Sequence, residues 1–318
     1  MGTAPEGTSS GVCADRPAGA WHEAMAYASP ADLVTALAPR VGHAVQAGDV
    51  VTAVLDDEAG GQLRSALGAA ADEVDFPDPR DVHSVPGFTT ATRWARSGRQ
   101  ITTTGGRALI IGQQLADLPG CGPEYWARLC LGIEVAAAGL PLTVICAFPD
   151  VAADWDRIRT THPLLGRAGG SEQNPDYRPP QDVLREHPAP PLPDLGPPAA
   201  ELEFRATDLG TMRHLAAETA GRSGIGPDRV ADVVLAVNEI ASNSVEHGPG
   251  SGRLRMWTDG GVLAEIADAG RLTEQFPGMT LPPATGVRGR GFWLASELCD
   301  VMEIWTEAGT VVRLSWRR

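Results

Sequence analysis

The chain has 318 residues, 43% of them apolar, which is enough for packed cores and about two domains of ordinary size. Its formal net charge is −14, with 14 Arg against 24 acids in residues 1–199 and 12 against 16 in residues 200–318. Neither half has the excess of cations that a phosphate backbone demands, so protein partners are expected and direct nucleic acid contact is not. Five cysteines, Cys13, Cys121, Cys130, Cys146 and Cys299, form no C-x-x-C pair, which argues against a disulfide framework or a zinc knuckle and for reduced core thiols. No apolar run reaches the length of a membrane span and the first 20 residues lack a signal-peptide core, so a soluble, cytoplasmic protein is expected.

In chain order, residues 1–18 are rich in Gly, Ala and Ser and read as disordered. Asp49 to Leu55 reads as a buried strand, Gln62 to Ala71 as a helix and Glu73 to Phe76 as a short strand. Ile101 to Ile111 is interrupted by Thr and Gly and is left unassigned. Trp126 to Ala138 has a helical pattern, and Leu140 to Phe148 reads as a second long buried strand. This alternation argues for a layered α/β domain over residues 19–165. Residues 166–200 turn polar and proline-rich, with six prolines between Glu186 and Pro198, a composition that suits a stiff spacer or, alternatively, a ligand for a groove-binding module.

The second domain, residues 201–318, starts with a short strand at Leu202 to Phe204 and a helix opened by Asp208. A second helix begins at Gly226-Pro227-Asp228 and stops at Gly248-Pro249, with proline and an acid in its first turn. Hairpin strands are expected at 253–258 and 262–267, a helix from Phe292 to Cys299, and a further hairpin at 301–306 and 310–316.

Chemistry concentrates in this second half. In LAVNEIASNSVEHG, residues 235–248, the apolar positions Val230, Val233, Val234, Val237, Ile240 and Val245 recur at helical spacing, leaving Glu239 and Asn243 one turn apart on a different face. A carboxylate and a carboxamide so stacked suit one magnesium–nucleotide complex. Asp268-Ala269-Gly270 closes a strand; as a lone D-x-G it would be a turn. Gly289-Arg290-Gly291 precedes a helix whose free amides can receive phosphate, with Arg290 and Arg288 either adding charge there or simply solvated. The loop between Arg271 and Arg288 has no periodicity and holds Pro277, Gly278, Pro282, Pro283 and Gly286, as a nucleotide lid would. His214 reads as structural, and His247 most simply complements the helix dipole, with lining the pocket as the alternative.

Taken in series, these boxes resemble the GHKL, or Bergerat, α/β sandwich of ATP-binding domains, and their spacing is similar to that of bacterial anti-sigma-factor serine kinases. The resemblance implies ATP and Mg²⁺ as cofactors. Asn243 would ligate magnesium, Glu239 would polarise the attacking hydroxyl, and Asp268 would accept the adenine amino group beside Gly270. Gly289, Arg290 and Gly291 would meet the phosphates, and Thr310 would hydrogen-bond in the adenine pocket. The implied partners are a sigma factor and an anti-anti-sigma STAS protein, and a homodimer is allowed. The alternatives are a non-catalytic ATP-dependent switch that binds partners and, more remotely, an ATPase acting on water.

In the first half, Trp21-His22-Glu23-Ala24, Ala47-Gly48-Asp49, Val74 to Pro77, Pro141 to Asp150 and Thr161-His162-Pro163-Leu164 resemble the MEDS sensory domain, a degenerate RecA-like α/β fold. The segment Asp56 to Gly61 lacks the Gly-Lys-Ser/Thr of a phosphate loop and its three acids would repel phosphate, so no ATP chemistry is implied there. His22 and Glu23 hint at a metal, yet no second His follows at helical spacing, which favours structural hydrogen bonding; Cys146 reads chiefly as a core thiol, with a redox role as the alternative.

Overall fold

The computed structural model describes residues 21–103, 105–150, 154–167, 170–282 and 290–318. The N-terminal stretch 1–18, Cys13, and Gly286, Arg288 and Gly289 of the expected lid and phosphate loop lie outside the described residues. Two compact units are present. The first comprises the described residues up to Val82, Trp94–Leu118 and Ala137–Arg178; the second comprises His83–Arg93, Pro119–Ala136 and Pro179–Arg318. The division therefore falls at several points of the chain, where a single boundary in the proline-rich segment was expected.

In chain order the first half runs β1 (Trp21–Tyr27), α1 (Pro30–Gln46), β2 (Val50–Val54), α2 (Asp57–Leu67), β3 (Val74–Asp75), α3 (Pro79–Val82), α4 (Gly87–Thr102), β4 (Ala108–Gln113), α5 (Pro123–Ala136), β5 (Leu142–Pro149), α6 (Trp155–Thr161), β6 (Leu164–Arg167) and β7 (Gly170–Gln173). Its seven strands form one sheet in the order β3-β2-β4-β5-β1-β6-β7. Every pairing is parallel except the final hairpin of β6 with β7. Thus residues 166–167 and 170–173, expected to open the spacer, extend this sheet instead. The unassigned stretch 101–111 holds the end of α4 and the start of β4.

Helix α1 shows why this sheet is covered where it is. Ser29 caps it by accepting from the Asp32 amide at 3.1 Å, Asp32 reciprocates by accepting from the Ala28 amide at 3.0 Å, and Pro30 sits in the first turn. Its buried stripe Leu33, Leu37, Val41 and Ala44 packs on one sheet face, against Met25, Tyr27, Val51, Ala53, Leu109, Ile111, Ile145 and Ala147. Side chains alternate along a strand, so His22 and Ala24 of β1 and Val144 and Cys146 of β5 lie on the opposite face. Strand β1 was missed in the sequence because His22 and Glu23 break its apolar run. Glu23 points to the α1 side, where it is fully buried and bound by Arg40, by Ser171 and by the Trp21 indole at 3.0 Å.

The second unit contains α7 (Pro180–Val183), β8 (Ala200–Arg205), α8 (Leu209–Arg222), α9 (Pro227–Glu246), β9 (Ser251–Trp257), β10 (Gly261–Asp268), α10 (Gly291–Leu298), β11 (Val301–Trp305) and β12 (Thr310–Arg317), together with α5 and the start of α4. Its sheet is antiparallel in the order β11-β12-β10-β9-β8. Helices α8, α9 and α10 pack on one face through Met212, Ala216, Val233, Val237, Ile240 and Ala295, set against Leu254, Met256, Ile266, Val312, Leu314 and Trp316 of the strands. These elements match the expected order, and the unit is a mixed α/β sandwich.

The other face of this sheet carries an ion cluster and the proline-rich segment. Glu265 is fully buried between Arg255 and Arg313, its register partners on β9 and β12. Arg313 also donates to the Pro193 carbonyl at 2.9 Å, Trp305 to that of Pro190 at 2.7 Å and Trp257 to that of Gly196 at 3.2 Å. Proline has no amide donor but keeps its carbonyl, and side-chain donors of the sheet take carbonyls along this stretch. The segment read as a stiff spacer is therefore held as a strap across its own unit. Among the described residues no helix is long and apolar enough to cross a membrane.

Candidate nucleotide site

Helix α9 owes its length to Pro227 in the first turn and a buried stripe on the sheet side. At its far end the amides of His247 and Gly248 both donate to the Asn243 carbonyl, at 2.9 and 3.1 Å, which closes the last turn and fixes the backbone beneath Asn243. The end of β10 meets this turn. There the Ser244 hydroxyl donates to Asp268 Oδ2 at 2.6 Å and the Gly270 amide donates to Oδ1 at 2.7 Å. Both oxygens are thus held in place, and each keeps a further lone pair for a ligand.

A cavity of about 210 Å³ opens between α9, the end of β10, the start of α10 and the start of β12. Its apolar walls are Ile240, Ile266, Leu272, Phe292 and Val312, and its polar groups include Asn243, Asp268 and Thr310. Thr310 locks the segment after Asp268 in place: its hydroxyl donates to the Gly270 carbonyl at 3.1 Å and accepts from the Leu272 amide at 3.2 Å. Desolvation pushes the carboxyl of Glu274, also on the wall, above its ordinary range.

Two glycines are required by close approach. A Cβ on Gly291 would stand 2.9 Å from Asn243 Nδ2 and 3.2 Å from Oδ1, so only glycine lets the first turn of α10 sit against this amide. A Cβ on Gly270 would fall 2.8 Å from Asp268 Oδ1. Apolar walls, a fixed carboxylate acceptor and a single hard carboxamide oxygen beside a helix N-terminus fit a purine nucleotide with a magnesium ion.

Of the residues singled out in the sequence, Asn243, Asp268, Gly270, Gly291 and Thr310 all line this cavity. Glu239 is half-buried one turn before Asn243 and is not part of the wall, and Arg290 is exposed at the N-cap of α10, also off the wall. Gly289 lies outside the described residues. Ser244 and Leu272 were not singled out; Ser244 directly follows Asn243, but only the tertiary contact with Asp268 reveals its use. His247, read first as a dipole complement with the pocket as the alternative, faces the cavity. The described part of the expected lid is anchored: Phe276 and Met279 are buried and Ser296 donates to the Gly278 carbonyl at 3.0 Å.

Residues 202–316 match the family model of the histidine kinase-like ATPase domain. The match spans the sheet of the second unit from β8 to β12 with α8, α9 and α10, and so contains every residue of the cavity. A domain of this kind implies ATP binding, usually with magnesium. No curated protein matches the chain.

Proposed function

We propose that the chain is a cytoplasmic ATP-dependent anti-sigma regulator: it sequesters a sigma factor and phosphorylates a Ser or Thr of an anti-anti-sigma STAS protein, under control of an N-terminal MEDS-like sensor. The observation that carries the nucleotide part is Asp268, a carboxylate held by Ser244 and Gly270 at the end of an apolar cavity. Such an acceptor pairs with the amino group of adenine and is left unpaired against the carbonyl of guanine. Asn243 would lend magnesium one carboxamide oxygen, leaving its other positions to phosphate and water. Arg290 and the backbone at Gly289 and Gly291 would receive the phosphate end.

ATP supplies the transferable phosphoryl group. The chain's own contribution is to align it and to take a proton: Glu239 accepts the proton of the partner hydroxyl, a general-base contribution of about 10²- to 10⁴-fold. The absence of lysine and arginine excess fits protein partners rather than DNA. The segment Asp56 to Gly61 of the first unit lacks the Gly-Lys-Ser/Thr of a phosphate loop, which supports a sensory rather than an ATP-hydrolysing role for that unit.

One observation favours a second reading, a switch in which ATP sets partner binding without transfer: Glu239 stands outside the cavity wall. Incubation with γ-labelled ATP and candidate STAS proteins separates the two. Label on the STAS protein that disappears with Glu239→Ala, while ATP binding persists, supports the kinase. ATP-dependent partner binding without label supports the switch, and failure to bind ATP sinks both.

A further inference from the structure

The first unit holds a cluster that the nucleotide chemistry does not use. His22 on β1, Cys146 on the neighbouring β5 and His162 just after α6 place one donor atom each within 4.8 Å of one another. All three are buried, at 3%, 6% and 0% exposure. His22 Nε2 lies 3.3 Å from Cys146 Sγ and the two imidazole centroids are 4.3 Å apart. The parallel register creates the pair: Ala24 stands opposite Cys146, so His22 and Cys146 share a face two residues apart.

A hydrogen bond between thiol and imidazole would account for His22 and Cys146 alone. It does not account for His162. Its Nδ1 lies 2.8 Å from the Ile158 carbonyl and 3.0 Å from the Thr161 hydroxyl; the nearer carbonyl can only accept and the hydroxyl has backbone carbonyls of its own to donate to, so the tautomer that satisfies both contacts carries the proton on Nδ1 and leaves Nε2 with a lone pair. That Nε2 is buried and has no hydrogen-bond partner among the described residues. A buried acceptor left unmatched costs the folded state its desolvation, whereas an imidazole whose Nδ1–H is fixed by a backbone carbonyl is the usual arrangement of a metal ligand.

From this geometry we propose that His22, Cys146 and His162 form a binding site for a divalent ion of the zinc class. Two imidazole nitrogens and a thiolate are a borderline-soft set suited to zinc. Tetrahedral bonds of roughly 2.0–2.3 Å put neighbouring donors about 3.5 Å apart, close to the observed separation of His22 and Cys146. Binding converts the Cys146 thiol to a thiolate and releases its proton to solvent. The site shares no residue with the nucleotide cavity.

The test uses the full chain, with zinc and with cobalt as the sole added metal. Elemental analysis after zinc loading and exhaustive dialysis should give about one zinc per chain, and zinc should raise the melting temperature. Cobalt should produce a thiolate-to-metal charge-transfer band. Cys146→Ser and His162→Gln should each lower affinity at least tenfold, and Cys146→Ser should abolish the band, while Cys299→Ser, at a buried thiol of the second unit, should leave both intact. Should either variant fail to fold, the parent's stoichiometry, melting shift and cobalt band still decide. Stoichiometry far below one, a cobalt spectrum without a thiolate band, or folded variants that bind as the parent does would overturn the proposal.

Discussion

Strand β10 carries two carboxylates three residues apart, and the two faces of its sheet give them opposite fates. Glu265, on the strap side, is fully buried and neutralised from both neighbouring strands by Arg255 and Arg313. Asp268, on the helix side, receives among the described residues a hydroxyl and one amide and faces a cavity. The same chemical group is structural where cations consume its lone pairs and available for recognition where weaker neutral donors only orient it. Glu23 in the first unit belongs with Glu265. Burial alone would push its carboxyl up, but Arg40, Ser171 and Trp21 outweigh that and hold it below the ordinary carboxylate range.

The largest effect should come from breaking the strap-side cluster. Arg313→Leu leaves Glu265 buried beside a single, more exposed Arg255, and should destabilise the second unit by about 3–5 kcal/mol, read from denaturant midpoints. The double variant Glu265→Leu, Arg313→Leu should recover most of that loss; if it does not, lost packing rather than a stranded charge is responsible.

On the helix side the expected signature is reversed. Asp268→Asn should cost the fold only about 1 kcal/mol but weaken ATP binding by roughly 10- to 100-fold, the equivalent of a hydrogen bond to a charged group, as read by titration calorimetry. A loss of stability as large as that of Arg313→Leu would erase the contrast between the faces. Ser244→Ala should fall below Asp268→Asn, removing one of the two donors that orient Asp268 for about 1 kcal/mol of binding, read by the same titration.

The smallest effect is the pH dependence of Glu23. Its folded pKa is depressed, so its stabilisation is present above the unfolded value and is lost as pH falls through the lower folded value. Thermal melts of the parent and Glu23→Gln should therefore differ at neutral pH and converge in acid. A gap that persists at the acid end would show that the charge is not what matters there.

These contrasts also mark what could be read in the chain beforehand. Helix α9, both hairpins and α10 were legible because Pro227, Gly248 and Asp259-Gly260-Gly261 punctuate strong periodic runs. Five cavity residues were legible as boxes in series. Strand β1 was not, because buried His22 and Glu23 read as polar until their partners, Cys146 and His162 or Arg40 and Ser171, arrive from far along the chain. The strap failed for a related reason: prolines advertise an extended backbone, but the Trp and Arg donors that capture it sit about 60 to 120 residues away. Spacing along a helix reports local geometry; it is silent on which distant strand will lie alongside.

The proposed function stands on one magnesium–ATP site formed by Asn243, Asp268 and the glycine backbone. Calorimetric titration of the full chain and of Asn243→Ala with ATP, in the presence and absence of magnesium, tests it directly. The parent should bind ATP more tightly with magnesium, and Asn243→Ala should lose that magnesium-dependent gain while its circular dichroism stays native. Equal affinities for parent and variant in magnesium, or no ATP binding by a folded parent, would contradict the account.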